Sequence, residues 1–361
     1  MDRAFLLLGR QMTLLDPLLD MFRGRAVTIP PLDGALKPNT LLDDAEVIAK
    51  AEAPDNLIES KGRIAFTTGK EVRSLADGKV VGAAPAPITA LAVSRDGAVA
   101  AGLETGGIHL LSGKIAELDG FNCPVALAFG DDGALYVCNG SDAVPPSGWK
   151  ADLMSKRAQG SLWRVDPASG ERRCLADKLA FPYGVAVDET NGRVLVSESW
   201  QHRLVAIPLA GGPPEPLLTK LPGYPARLSP RPGGYVMSLF APRNRLIEFV
   251  LMEDDYRADM MREIEDRFWI APSLAPSRSF LEPLQNGGVR VMGIHKPWSP
   301  TRSYGLVVCL DEDLQPVMSF HSRANGARHG VTSAIAFRDG IVAAAKGGNA
   351  VLRVAPSGGE H

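Results

Sequence analysis

The sequence predicts an all-β fold: a six-bladed β-propeller with a short N-terminal helical segment and a helical insertion between late blades. Three observations carry this expectation. A hairpin motif recurs along the chain, Gly (37) and Pro (28) are plentiful as many short strands joined by turns require, and helical periodicity is confined to the start and one late stretch. Residues 1–45 form the first division, a helical segment and extended arm, and residues 46–361 the propeller.

The motif is a small-residue apolar strand, an Asp-Gly or Asn-Gly turn, and a second apolar strand. Ile88-Thr89-Ala90-Leu91-Ala92-Val93 leads to Asp96-Gly97, and Cys123–Phe129 leads to Asp132-Gly133. Phe181–Val187 leads to Asn191-Gly192, and Val331–Phe337 leads to Asp339-Gly340. Such dipeptides tolerate the positive φ of tight hairpin turns. Two weaker copies lie at Asn56–Phe66, turning at Lys61-Gly62, and at Ala226–Leu239, turning at Gly233-Gly234. Hairpins repeating every few tens of residues are the signature of propeller blades, each a four-stranded antiparallel sheet. Blade starts are expected at Glu52, Pro87, Asn122, Phe181, Pro222 and Val331. Ring closure is expected to join the strand Tyr304–Leu310 to a strand of the first blade region.

Within residues 1–45, Phe5, Leu8, Met12, Leu15, Leu19 and Phe22 step by three and four onto one helical face. Pro17 splits this stretch into two short helices. Packing on the propeller rim is the plainer reading of that face; a membrane-surface or homodimer contact is the sharper one. Two insertions interrupt the blades. Asp142–Gln159 carries Pro145-Pro146 and Trp149, and Glu253–Trp269 reads as an amphipathic helix with Tyr256, Met260, Ile264 and Phe268 on one face. Both are placed to cover a channel mouth.

Net charge is −2, with 45% apolar and 22% charged residues in 361, which argues against nucleic acid as a partner. Cys123, Cys138, Cys174 and Cys309 make neither a Cys-x-x-Cys pair nor a zinc spacing with His. The apolar run after Met1-Asp2-Arg3 is too short for a secretion signal, and no stretch approaches the ~18 apolar residues of a membrane span. A cytoplasmic location is the expectation.

In a propeller the inner strands of all blades converge on the axis, so residues just before them line one funnel. Glu52, Asp55, Asn56, Asn122, Tyr183, Arg227 and Ser333 are the polar candidates there. His295, His321 and His329 lie on late loops, and His329 is the best placed. Ser333 has no Gly-x-Ser-x-Gly elbow around it, so a serine nucleophile is disfavoured.

The chain resembles the strictosidine synthase-like branch of the superfamily that also holds gluconolactonase, regucalcin and the paraoxonases. The resemblance rests on Asp33–Leu41, Glu52-Ala53-Pro54-Asp55, Phe121-Asn122, Cys138-Asn139-Gly140-Ser141 and Gly160–Pro167. It continues through Leu179–Val185, Ser197-Glu198-Ser199, Leu221-Pro222-Gly223-Tyr224-Pro225 and Ala241-Pro242-Arg243-Asn244. It implies a six-bladed propeller with its site at one end of the central channel. In the metal-dependent members oxygen ligands hold calcium, zinc or a similar ion on the axis. Glu52 and Asn122 match two of these ligands. The family's Pro-Asn-Gly, however, reads Pro182-Tyr183-Gly184, and its Gly-Tyr-Pro-Asp-Asn reads Gly223-Tyr224-Pro225-Ala226-Arg227. A guanidinium there repels a divalent ion by several kcal/mol at an effective dielectric of ~20, so neither metal nor other cofactor is expected. The plant synthases use a Glu in the last blade, where Ser333 stands here.

The leading expectation is therefore a metal-independent enzyme acting on a small-molecule substrate, of lactone- or ester-hydrolase type. Arg227 would be the oxyanion or carboxylate anchor, Tyr183 the proton donor and Glu52 the base. Asp55, Asn56, Asn122, Trp149, His329 and Ser333 would bind substrate. A carbon–nitrogen or carbon–carbon lyase is the rival enzyme. A non-catalytic binding propeller, its channel plugged by a Glu52–Arg227 pair, is the rival outside enzymes.

Overall fold

A computed structural model describes residues 28–111, 117–276, 290–291, 294–295 and 301–355. The expected N-terminal helical face, Phe5 to Phe22, lies outside them.

Six four-stranded antiparallel sheets form the ring. Their inner strands are Asp55–Ser60, Ile88–Val93, Pro124–Phe129, Pro182–Asp188, Gly223–Arg231 and Val331–Phe337, here blades 1 to 6. Each begins within three residues of its expected start. In blades 2, 3 and 4 only the turn glycine, Gly97, Gly133 or Gly192, takes positive φ. The preceding acidic or amide residue keeps ordinary backbone, and Asp132 Oδ1 accepts the Ala134 N–H instead. In blade 6 the turn sits one residue early, with Phe337 paired to Gly340 and Arg338 at φ 55°.

Apolar residues alternate onto the flat faces of each sheet, so the core lies between neighbouring blades rather than on the axis. Tyr136, Cys138 and Leu162 of blade 3 pack on Val185, Val196 and Val205 of blade 4. Leu204 of blade 4 packs likewise on Leu228 and Met237 of blade 5.

Ring closure differs from the expectation. Gly305–Leu310 is the third strand of blade 5, paired to Gly234–Pro242. The seam is made by Glu46–Lys50, which pairs with Ala350–Val354 as the outer strand of blade 6. The sequence separation hid this: the second and third strands of blade 5 are split by an insertion, so the third reads as a free strand near the chain's end.

The arm before the seam clasps blade 5. Asn39 accepts the His321 N–H and donates to Ser319 O, while Ser319 Oγ donates to Ala35 O at 2.6 Å. Leu42, fully buried, packs on Phe320 and Val331. His321, between Tyr304 Oη and Ser319 Oγ, is held neutral because burial lowers its pKa to about 4. A histidine whose folded pKa is depressed contributes stability above its unfolded value near 6.5 and loses it as pH falls toward 4. Melting temperature is expected to fall between pH 6.5 and 4, with the slope reduced in His321→Asn. An unchanged slope in that variant would remove His321 from the acid response.

Both insertions follow the second strand of their blade, so they emerge at the same face of the ring. In blade 3 the insertion forms helix α1 (Trp149–Ser155). The late helical insertion is two helices inside blade 5, α2 (Arg245–Met252), capped by Asn244 accepting the Leu246 N–H, and α3 (Asp254–Glu263). The expected single face is not formed. Met260 is buried, but Tyr256 and Ile264 are 49% and 44% exposed, because the helix ends at Glu263 and packs through Met260 on Trp269. No helix among the described residues is long and apolar enough to cross a membrane.

Candidate functional site

Every inner strand slips register near its start, between Asp55 and Ile58, Ile88 and Ala90, Pro124 and Ala126, Pro182 and Gly184, Tyr224 and Leu228, and Val331 and Ser333. A bulge frees backbone groups from the ladder and re-aims side chains. Those groups face the channel, and buried carbonyls need a donor.

Arg227 supplies it. Its Nη1 donates to Asp55 Oδ1 at 2.7 Å and to Thr332 O at 3.3 Å; its Nη2 donates to Thr89 O at 2.6 Å and Val125 O at 3.2 Å. Its guanidinium lies 5.1 Å from the Tyr183 ring. From blade 5 the side chain thus reaches blades 1, 2, 3, 4 and 6. Gly184 makes this approach feasible, since a Cβ there would collide with Ala226 O and crowd Arg227 Cα.

Asp55, 3% exposed, is the counter-charge. Its Oδ1 also accepts Thr332 Oγ1 and the Asn56 N–H, and its Oδ2 accepts Lys346 Nζ at 3.0 Å. Burial by itself would raise this carboxyl's pKa, but Arg227 and Lys346 outweigh burial and hold it below the ordinary value. Lys346 shows the reciprocal effect: burial favours its neutral form, but Asp55 holds it charged, with its pKa raised.

Above this layer, at the face where the insertions emerge, lies a pocket of about 300 Å³. Trp149, Phe181, Tyr183, Trp200 and Phe240 wall it, and Lys346 and Glu104 are its charged residues. The rings interlock, with Phe181 stacked on Trp200 at 4.6 Å and Trp149 edge-on to Phe240 at 5.6 Å. Asp152 of α1, buried and with its pKa raised by that burial, accepts the Trp200 indole N–H at 2.8 Å and fixes the wall. The Ser147 N–H donates to Glu104 Oε1 at 3.0 Å, and Asn122 Nδ2 to Val144 O, tying the blade 3 insertion over the mouth. Below Arg227 a second chamber of about 350 Å³, lined by the far halves of the inner strands, opens to the opposite face.

The structure brings Tyr183, Trp149, Asp55 and Arg227 to this site, with Tyr183 and Trp149 lining the pocket and Asp55 and Arg227 bonded to each other beneath it. Glu52 is not there. It is exposed on a surface groove with Lys50 and Arg73, three residues before the bulge that turns Asp55 inward. The expected Glu52–Arg227 pair is replaced by Asp55–Arg227. Asn56 is buried at φ 48° and donates to Thr67 Oγ1, and Asn122 is an exposed rim tie. Ser333 Oγ accepts the Leu57 N–H and lines the lower chamber. His329, fully buried, sits between Ser303 Oγ and Arg323 O, outside the pocket.

Lys346, Glu104, Trp200 and Phe240 were not found from the sequence. Lys346 and Glu104 directly follow the second strands of their blades, where Ala345 pairs with Val331 and Leu103 with Ile88. That position faces the mouth as surely as the residue before an inner strand does, and it was the available signal.

The residues present do not fit a divalent ion. The axial position is filled by a guanidinium, the buried carboxylate there already holds two cationic side chains, and Glu52 and Asn122 do not converge on it. Among the described residues no group of three or more His, Cys, Asp or Glu is arranged around a metal position.

The strictosidine synthase family model matches residues 126–206. Protein STRICTOSIDINE SYNTHASE-LIKE 6 of Arabidopsis thaliana is 30% identical over 111 residues, which is 30% of this chain and 30% of that protein. The stretch matched by the family model includes Tyr183 and the blade 3 insertion but not Asp55, Arg227 or Lys346. Among solved structures, one reported as a candidate gluconolactonase is 15% identical with a TM-score of 0.41, over 55% of this chain and 75% of that one. A catalytically inactive virginiamycin B lyase from Staphylococcus aureus, solved with quinupristin, is 15% identical with a TM-score of 0.40, over 52% and 62%.

Proposed function

We propose that the protein is a metal-independent enzyme acting on a small, ring-bearing carbonyl compound, of lactone- or ester-hydrolase type, in the aromatic pocket above Arg227. The observation that carries this reading is Lys346: a cation locked by Asp55 among the residues of a pocket walled by aromatic rings. A fixed cation stabilises negative charge developing on a carbonyl oxygen without reorganising at the moment of reaction. Tyr183 adds a hydroxyl donor, and the rings take up the apolar body of the substrate.

Glu104 is the carboxylate in the same pocket. In the proposed step it takes a proton from water as the water oxygen bonds to the acyl carbon, and returns it to the departing alkoxide oxygen when the acyl C–O bond breaks. A route through a covalent Lys346 adduct is disfavoured, because a nucleophilic lysine must be neutral and Asp55 keeps Lys346 charged.

Phenyl acetate and a six-membered aryl lactone are the test substrates. Turnover is expected without added metal, and Glu104→Gln is expected to lower kcat about 100-fold with KM little changed. A parent protein that binds these compounds but releases no product would reject the hydrolase in favour of a binding propeller.

A further inference from the structure

A second cleft, of about 330 Å³, lies between blades 5 and 6 on the face opposite the aromatic mouth. Its apolar surface comes from the outer strand of blade 5 (Val317, Met318 and Phe320), from Cys309, and from Ala336 and Ile341 of blade 6. Val317 and Met318 are 49% and 37% exposed, leaving an apolar surface open to solvent on the outer strand of blade 5.

Two arginines border this apolar surface. Arg231, at the end of the blade 5 inner strand, donates Nη2 to Leu310 O at 3.3 Å, while its buried Nε–H has no hydrogen-bond partner. Arg338 occupies the shifted blade 6 turn, and its guanidinium lies 5.1 Å from the Phe337 ring. Neither forms a salt bridge among the described residues, although Asp339 lines the same cleft. Other arginines around the ring, Arg73, Arg164, Arg193 and Arg203, are matched to carboxylates.

An unsatisfied buried N–H favours an acceptor, and guanidinium groups bind carboxylates in a directed, two-point manner. We propose that this cleft is a second binding site, for a small amphipathic carboxylate. Its tail lies on Met318 and Phe320, and its head is held by Arg231 and Arg338. Charge complementarity identifies the occupant: an apolar surface alone would accept a neutral chain, whereas this one carries two arginines against a single Asp.

The test uses octanoate, titrated into full-length protein carrying 13C-labelled methionine methyl groups, with Met318 assigned through Met318→Leu. A saturable shift of the Met318 methyl is expected with octanoate and none with octylamine. Arg338→Ser and Arg231→Met are each expected to weaken binding at least 10-fold, whereas Lys346→Met leaves it unchanged. Arg338 is an exposed turn residue, so its variant remains informative if Arg231→Met fails to fold. Equal shifts with octanol or octylamine would overturn the proposal, as would Arg338→Ser titrating like the parent. Loss of the Met318 shift in Lys346→Met would overturn it too, by placing the carboxylate in the central pocket. Because this readout is independent of turnover, its failure is separate from failure of the hydrolase reading.

Discussion

Arg227→Ala is expected to lower the unfolding free energy by about 3–5 kcal/mol, the range for removing one partner of a buried ion pair. At the few degrees per kcal/mol typical of larger domains this lowers the melting temperature by on the order of 10 °C. The reason is the number of groups that one side chain satisfies. Its removal strands Thr89 O, Val125 O and Thr332 O in the channel and leaves Asp55 with Lys346, Thr332 and the Asn56 N–H as partners. It also removes a side chain that touches every other blade, so the loss is spread around the ring rather than confined to one hairpin. Arg227→Lys is expected to recover only part, because an ammonium cannot reproduce the planar fork that reaches four acceptors. A double-mutant cycle with Asp55→Asn separates the pair from the carbonyl bonds, with a coupling of roughly 1–3 kcal/mol expected. An Arg227→Ala protein that melts with the parent would show that the axial layer is not a structural hub.

Lys346→Met is expected to have the largest effect on function: loss of the charged donor lowers kcat by roughly 10²–10³-fold. Binding of an aryl carboxylate such as indole-3-acetate is expected to weaken about 10–100-fold, as for loss of a charge-assisted hydrogen bond. Folding should be much less affected than in the Arg227 variant, since Asp55 keeps its bonds to Arg227, Thr332 and Asn56. Thermal melting and calorimetric titration on this variant distinguish a binding cation from a structural one. Unchanged affinity together with a large stability loss would move Lys346 out of the site and into the plug.

The two expectations separate Arg227 from Lys346 more sharply than the sequence did. The Gly-Tyr-Pro-Ala-Arg stretch marked Arg227 as a channel residue, and it is one. It was expected to anchor a substrate, but four hydrogen bonds to the protein occupy its guanidinium. In the proposed function the anchor is instead Lys346, whose Nζ is bonded to Asp55 while its side chain remains 30% exposed.

The blades could be read from the sequence because a hairpin is local. Its turn residues and alternating apolar positions lie within about 15 residues of one another, and each blade repeats that signal. The same locality located Tyr183 and Arg227, which sit inside recurring strand motifs. Three things were decided only by tertiary structure. Closure by Glu46–Lys50 depends on a pairing across nearly the whole chain, to Ala350–Val354. The axial carboxylate is Asp55 rather than Glu52 because a register slip and the positive φ of Asn56 turn one inward and leave the other on the rim. Lys346 enters the site because the end of one blade's second strand lies beside the start of another blade's inner strand. No spacing within a single motif encodes that neighbourhood, since it exists only once the ring has closed and every blade presents the same edge to the axis.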